Sequence, residues 1–568
     1  ISNPGGNLLV VDSVLSANTA NTGNGGAIVS TLPDGVVTLQ RTTVTQNHAS
    51  IGGGVSASFG VVHISDSDIS GNTASAAGGG MAGSSSEIAI DNTTLNENIV
   101  DSSGGAIRIV GAAAGVATII RNSTLSDNAA GQGGAIANVT GGRIEIRDSV
   151  LSDNSADSGG AIHNTLNARL ELFATQVNQN QALVGGAIHN SAEAKVLSST
   201  LTGNIAQAVG ITPRGGAIHN AAPGLLLLQF STLLSNTAFS GGAIFNSGLA
   251  TVENSTLSAN NGADGGAIFN RSGVLEVSDS EISDHVGGDS GGGIHHFEGS
   301  TLVRRSRVLR NQVINDGGGL YQDRGDLTVV DSIFQANAAG IGGGISSLGL
   351  GLTGPTLATI TASTFHDNIA TVRGGGLYID DLVRLDLTNS TISGNEAGQF
   401  GGGIELVGGE YYVTNTTILG NSAGNQGGGL ANGLGAITDV TLTIVAGSLA
   451  GGDCVADDPD DLQHIFDLIE DGTCPSQFGT TLNVDPGLGP LQDNGGPTPT
   501  HSPMPFSPVV DVGFVCTTPG CVPGSDQRGA GRPFAGNGVL VLYDIGAVEL
   551  GSPLPANLVF GDGFEEFP

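Results

Sequence analysis

Three aspartates, Asp264, Asp289 and Asp316, each stand just ahead of a paired glycine in successive segments of the chain. On stacked parallel strands, carboxylates one segment apart lie about 5 Å from each other and those two segments apart about 10 Å. That range brackets the acid and base pairs of glycoside hydrolysis. Acidic residues before glycine are also ordinary turn formers, so the trio has a purely structural reading as well. A second series is His163, His189, His219, Phe245, Phe269, His295 and Tyr321, each following the aliphatic residue after such a glycine pair. Ser346 and then Tyr378 continue it. Only 4% of the chain is aromatic, so a row of rings at one repeat position is unexpected, and flat rings exposed along one side would bind sugar faces or another protein. The structural alternative is that a loop covers the rings or that they simply stack on parallel strands. Stacked imidazoles can also chelate a metal, but no zinc-ligand motif, Gly-x-Ser-x-Gly elbow or phosphate loop is present. No metal or cofactor is expected, and no residue is assigned as catalytic. A polysaccharide lyase or glycosidase working through the three aspartates is the alternative reading.

The elements that position these residues are repeats. An asparagine recurs at Asn18, Asn47, Asn72, Asn98, Asn128, Asn154, Asn180, Asn204, Asn236, Asn260, Asn311, Asn337, Asn368, Asn395 and Asn421, with His285 filling the one gap. These sixteen anchors stand about 27 residues apart. Three residues before each anchor the side chain is apolar, five before it is Ser or Thr, and eight before it is apolar again. The alternation predicts a six-residue strand with one buried face. Each copy also carries Gly-Gly, then Ala or Gly, then an aliphatic residue, as in Gly25-Gly26-Ala27-Ile28. The aliphatic residue begins a second short strand, and the glycines mark the corner between the two. A leucine-rich repeat requires leucine two residues past its asparagine and a bulky segment on the back, and neither is present. The pattern therefore predicts an all-β, right-handed parallel β-helix of about sixteen coils over residues 1–452, a rod of roughly 75 Å.

Equivalent residues of successive coils lie above one another in such a fold, so a column of the repeat is a ladder in space. The Ser/Thr column and the anchor asparagines are expected as internal ladders, with Asn138, Asn164, Asn190, Asn220, Asn246 and Asn270 as a second amide ladder. The cluster Arg304, Arg305, Arg307 and Arg310 alternates in register with acids: Arg305 between Asp279 and Asp331, and Arg307 after Glu281. Cross-strand pairs of that kind contribute a few tenths of a kcal/mol each, which favours a structural role over an acidic-ligand site. The outward column beside the Ser/Thr ladder is threonine in nine of sixteen coils. Val14, Asp68, Val150, Gln176, Glu281, Arg307 and Ile333 interrupt it, so no flat hydroxyl lattice for ice binding is maintained.

The apolar fraction of 39% supplies enough surface for a folded core, and the 94 glycines lack the three-residue period of collagen. Acids outnumber bases 52 to 18 and Lys195 is the one lysine, a balance that disfavours nucleic acid and anionic membrane surfaces as partners. No apolar run is long enough to cross a bilayer as a helix. The four cysteines form two close pairs, Cys454 with Cys474 and Cys516 with Cys521, which suits two local disulfides, with four reduced thiols as the alternative. Disulfides together with the scarcity of lysine point to an oxidising, extracytoplasmic compartment.

The period ends near Leu449, and residues 453–550 are rich in Pro, Asp and Cys. Residues 461–469 fit a short amphipathic helix or an extended segment covering the open end of the last coil. The Gly-Gly-Ala-Ile element with its downstream Ser-Thr-Leu-Ser-x-Asn resembles the repeat of polymorphic outer-membrane-protein-type β-helices across most of residues 1–432. The segment Asp485 to His501, then Ser525-Asp526-Gln527-Arg528-Gly529 and Tyr543-Asp544-Ile545-Gly546-Ala547-Val548-Glu549, is similar to the choice-of-anchor Q domain that follows such β-helices in bacterial surface and secreted proteins. The resemblance implies export and attachment to, or release from, a bacterial cell surface. Tyr543 stands where that family carries a cysteine, which leaves Cys516 and Cys521 to pair with each other. The expectation is a small C-terminal capping domain over 453–550 and a tail over 551–568. Leu558, Val559 and Phe560 of the tail are positioned to add a strand to the exposed edge of another copy's first coil, giving head-to-tail filaments. The function expected is a secreted or surface-displayed structural or adhesive rod, with self-association and a carbohydrate or cell-surface ligand as its partners.

Overall fold

A computed structural model describes residues 1–111, 117–207, 210, 212–349, 356–474, 482–513, 523–532 and 542–552. The chain is an all-β parallel solenoid of about 17 turns. The one helical segment among the described residues is a single 3-10 turn, Pro459–Asp461. Two compact units are distinguished, Ile1–Leu275 and Glu276–Pro568.

A coil of the first unit shows how the repeat folds. Its four strands are Ile136–Val139, Arg143–Arg147, Val150–Ser152 and Ser155–Ser158. Each pairs in parallel with its equivalent one coil on, in the registers Ile136 to Ile162, Ile144 to Leu170, Leu151 to Val177 and Ser155 to Gln181. The six-residue strand expected before the anchor is therefore two strands. The apolar position eight before the anchor and the hydroxyl five before it are an odd number of residues apart, so in one straight strand they would face opposite ways. Asp148, at φ 48°, breaks the strand between them in the left-handed region that Asp and Asn tolerate best. Ile146 and Ser149 thereby both point into the core, at 0% and 3% exposure. Asp153, at φ 58°, makes the next corner just before the anchor Asn154. The same two left-handed positions recur in coil after coil.

The ladders form as expected. Asn154 donates through Nδ2 to Oδ1 of Asn180 at 2.9 Å and to the carbonyl of Leu125 at 3.0 Å, while its backbone N–H donates to the same Asn180 oxygen at 3.1 Å. One amide thus satisfies corner groups of three coils. The second ladder runs from Asn138 through Asn164, Asn190, Asn220 and Asn246 to Asn270, each Nδ2 to the next Oδ1 at 2.8 to 2.9 Å. In the hydroxyl ladder Ser149 accepts from the backbone of Ser123 at 3.1 Å and donates to the carbonyl of Arg147 at 2.7 Å. Between the ladders the core is aliphatic, as in the fully buried stack Ile136, Ile162, Ile188 and Ile218.

In the second unit the solenoid continues two coils beyond the last anchor, Asn421, the first of them through Leu430–Asn432, Ile437–Thr441 and Ile444–Ala446. In the second, Cys454–Ala456, Leu462–Ile465 and Leu468–Ile469 pair in register with Leu430, Thr438 and Ile444 of the coil before. Residues 461–469 are thus mainly extended, and Leu462, Leu468 and Ile469 are core residues of that coil. Its hydroxyl position is Asp467, whose Oδ1 accepts from the Thr443 backbone at 2.7 Å. An acid in place of Ser or Thr hid this coil from the repeat pattern. The disulfide between Cys454 and Cys474 is formed. Cys516 and Cys521 lie outside the described residues, as do Leu558, Val559 and Phe560.

The C-terminal segment packs along the outward face of the second unit's three-residue strands. Three threonines of the interrupted outward column receive it: Thr364 donates to the Pro499 carbonyl at 2.7 Å, Thr391 donates to Gln527 Oε1 at 2.6 Å, and Thr417 accepts from the Ala547 backbone at 3.0 Å. Gln527 Nε2 donates back to Thr364 at 2.8 Å. The stretches Ser525–Gly529 and Tyr543–Glu549 meet there: Arg528, paired to Asp526 at 2.7 Å, also donates to the Glu549 carbonyl at 2.7 Å, and Arg532 pairs with Glu549 at 2.8 Å. Tyr543 lies buried among Leu442, Ile444, Ala446, Leu468, Val509 and Ile545.

Candidate functional site

The ring column takes the register read from the sequence but not the exposure. In the first unit His163, His189, His219, Phe245 and Phe269 occupy the position after the inward isoleucine on five successive strands. Four of them are buried and His189 is partly so. The glycine corner is the reason. Gly159 adopts φ +66° and Gly160 packs against the backbone of Gly186, so the corner carries no side chains and leaves a trough beside the strand. The far bank is the column Ser158, Val184, Arg214, Ser240 and Asp264. Ser158 Oγ reaches His163 Nδ1 at 3.1 Å, and the Arg214 guanidinium lies 5.1 Å from the Phe245 ring centre.

Within the trough the rings pack on one another. His163 and His189 are stacked with centres 4.9 Å apart, and Phe245 and Phe269 are stacked at 5.2 Å with planes 5° apart. Stacking at the strand spacing turns the ring faces along the column instead of toward solvent. This corrects the expectation of an exposed stripe and favours the alternative that planar side chains stack on parallel strands. In the second unit His295 and Tyr321 repeat the arrangement edge to face at 4.8 Å.

Burial sets the histidine chemistry. It lowers His163 and His189 to about 4 and His219 to about 3, with neighbouring charge on His189 adding to the effect at His163 and His219. The folded state therefore binds fewer protons than the unfolded chain between pH 6.5 and about 4, so these residues contribute stability above pH 6.5 that is lost as the pH falls through that window. A His163→Asn/His189→Asn/His219→Asn variant is expected to lose less of its melting temperature than the parent between pH 6.5 and 4. Parallel curves in the thermal melts would contradict the buried column.

The aspartate trio does not form one column. Asp264 lies on the bank of the first unit. In the second unit Asp316 holds the equivalent position, but its partner one coil earlier is Ser290, which leaves Asp289 one residue out of register and exposed. Asn315 donates to Asp289 through its backbone at 3.1 Å and through its side-chain amide. Burial, helped by the charges of Asp289 and Asp380, raises the Asp316 carboxyl above its ordinary value. The arginine cluster is paired as register required: Arg305 grips Asp279 with contacts of 2.6 and 2.7 Å, and Arg310 grips Asp284 at 2.7 and 2.8 Å. Among the described residues no group of three or more His, Cys, Asp or Glu is arranged to hold a metal ion, and no helix is long and apolar enough to cross a membrane.

Beyond its aromatic residues the ring column holds a buried carboxyl, Glu405. The column continues Tyr321, Ser346, Tyr378, Glu405, Ala431, Val455. Glu405 is 4% exposed. Its Oε1 takes the Arg373 guanidinium at 3.2 Å, and its Oε2 is buried with no hydrogen-bond partner. Burial pushes the carboxyl up to about 7 against the opposing pull of Arg373, and Asp457 and Asp380 push the same way as burial. Arg373 also lies 5.4 Å from the Phe400 ring centre. Tyr378, one coil before Glu405, is raised to about 12 by burial and by the charges of Asp380 and Glu405. The signal was present in Gly401-Gly402-Gly403-Ile404-Glu405, an acid at the ring position after the corner. No family model and no curated protein sequence matches this chain.

Proposed function

We propose that this protein works outside the cell as a structural and adhesive β-solenoid of bacterial surface type, the role implied by its likeness to polymorphic outer-membrane-protein repeats and to the choice-of-anchor Q domain. The observation that carries this reading is how the repeated residues are used. The anchor asparagines, the second amide ladder, the Ser/Thr column and the stacked rings all contact their equivalents one coil away, so what the repeat preserves is stacking. Such a fold presents a long, regular side to a surface or to another copy. The Cys454–Cys474 bond and the near absence of lysine support an oxidising, extracellular setting. Head-to-tail self-association belongs to the same proposal, since parallel strand edges accept further strands.

Light scattering and electron microscopy of the purified chain test the assembly. Linear oligomers that disappear on deletion of residues 551–568 are expected, and monodisperse monomers at high concentration would overturn it. A reducing-sugar assay on plant and microbial polysaccharides tests the structural role: product formation that vanishes in Asp316→Asn would replace it with the enzymatic reading.

A further inference from the structure

One outward sheet face of the first unit departs from the charge balance of the chain. Six successive strands of it are Thr118–Arg121, Arg143–Arg147, Arg169–Phe173, Glu193–Leu197, Leu225–Gln229 and Leu249–Glu253, paired in parallel and in register. Their outward positions carry five bases against four acids, whereas the whole chain has 18 against 52. Among the charges stand Phe173, Leu225 and Leu249, at 39%, 48% and 44% exposure. A recess of about 60 Å³ opens among Arg143, Arg169, Glu171, Glu193 and Lys195. The charges are also ordered. In the first outward column Arg169 is followed by Glu193, in the second Glu171 by Lys195, and in the third Phe173 by Leu197. Arg169 pairs with Glu193 at 3.0 Å, and the Lys195 ammonium lies 3.8 Å from the same Glu193.

This order is self-complementary. A two-fold axis lying in the face, along the strands and midway between Arg169–Phe173 and Glu193–Leu197, lays each of these strands over the other one of a second copy. Such a rotation keeps position along the strand, so Arg169 meets the second copy's Glu193, Glu171 meets its Lys195 and Phe173 meets its Leu197. One coil further out, the aliphatic stem of Arg143 covers the second copy's Leu225, and Glu145, already paired to Arg147, brings no net charge onto its Leu227. One coil beyond that, Ile119 meets Thr251 and Arg121 meets Glu253. No like charges are opposed in any of the three columns.

We propose that two copies of this chain pair face to face and antiparallel through this surface of their first units, as a closed dimer. Each Arg169–Glu193 pair becomes half of a four-charge square, and Glu171 with Lys195 forms a second square of the same kind. A network of this sort is worth more than an isolated exposed pair, which orders two long side chains for little return. A net charge of −34 repels copies elsewhere, and this face is one on which they can approach. Six strands of about five residues make a patch of about 29 by 16 Å. That is small for a permanent dimer, so the association is weak and sensitive to salt. A two-fold contact consumes the surface of both copies and does not propagate, which separates it from end-to-end assembly.

Sedimentation of the full chain in about 0.15 M salt, where charges more than ~8 Å apart are screened, should show a dimer at high micromolar concentration. Glu171→Lys and Lys195→Glu should each weaken it at least tenfold without lowering the melting temperature appreciably. The double exchange Glu171→Lys/Lys195→Glu should restore it to within threefold. Carbodiimide coupling of mixed isotopically light and heavy chains should join Lys195 of one to Glu171 of the other, and because Lys195 is the one lysine the coupled peptide is readily assigned. A monomer without that mixed link, a dimer that neither single exchange weakens, or one that the double exchange fails to restore would overturn the proposal. Linear oligomers lacking the mixed link would leave end-to-end assembly standing and overturn this pairing.

Discussion

Replacing Phe245 and Phe269 together by alanine is expected to destabilise the first unit by at least ~4 kcal/mol. Both rings are buried, at 2% and 8% exposure, and they stack on each other in the glycine trough. Truncating a buried phenylalanine removes its transfer free energy and leaves a cavity, costing about 3–5 kcal/mol for one residue, and adjacent sites do not add simply. The trough cannot collapse to fill the space, because its floor is glycine backbone already in contact with the coil below. His219 would lose its edge contact with Phe245, and Arg214 the ring it covers. Thermal and denaturant unfolding of the double variant would show this directly. A melting temperature equal to that of the parent would mean that the rings stand in solvent, and the sugar-face reading would return.

Ile162→Asp should cost several kcal/mol and prevent the neighbouring coils from stacking, because it places a carboxylate in the fully buried column between Ile136 and Ile188. Nothing in that column donates hydrogen bonds. His163→Ala, one residue away on the opposite face, removes a ring held by one side-chain hydrogen bond and one stacking contact, and its effect should be smaller. Solenoid stability is a sum of coil and interface terms, so the damage from Ile162→Asp should appear first as loss of amide-exchange protection around residues 136–190. Equal losses of stability in the two variants would show that inward and outward faces have been exchanged.

The two predictions differ in what the sequence could supply. That Ile162 faces inward and His163 outward follows from residue spacing alone, since side chains alternate along a strand and each column repeats every coil. The same periodicity determined the parallel solenoid, both asparagine ladders, the hydroxyl ladder and the pairing of Arg305 with Asp279. All are contacts between equivalent positions, and a repeat writes such contacts into its own register. What the spacing could not supply is the depth at which an outward residue ends. The rings are buried because the glycine corner opens a trough with a second column as its bank, and that depends on the path of the chain around the corner. Similarly, the odd spacing between Ile146 and Ser149 fits a single buried face only once Asp148 turns left-handed.

Contacts between segments far apart in the chain were the least legible. Thr364, Thr391 and Thr417 read as a broken outward column, yet they receive Pro499, Gln527 and Ala547, more than a hundred residues later. The coil built on Asp467 escaped the pattern because a carboxylate can accept the backbone hydrogen bond of the hydroxyl it replaces. The unpartnered oxygen of Glu405 is also a tertiary fact, set by the reach of Arg373 and the shortness of Ala431. The sequence by itself determined which residues repeat and therefore which stack. Only the tertiary structure decided which of the outward ones are covered and which polar atoms are left without a partner, because those outcomes depend on side-chain length and corner geometry, which a period does not encode.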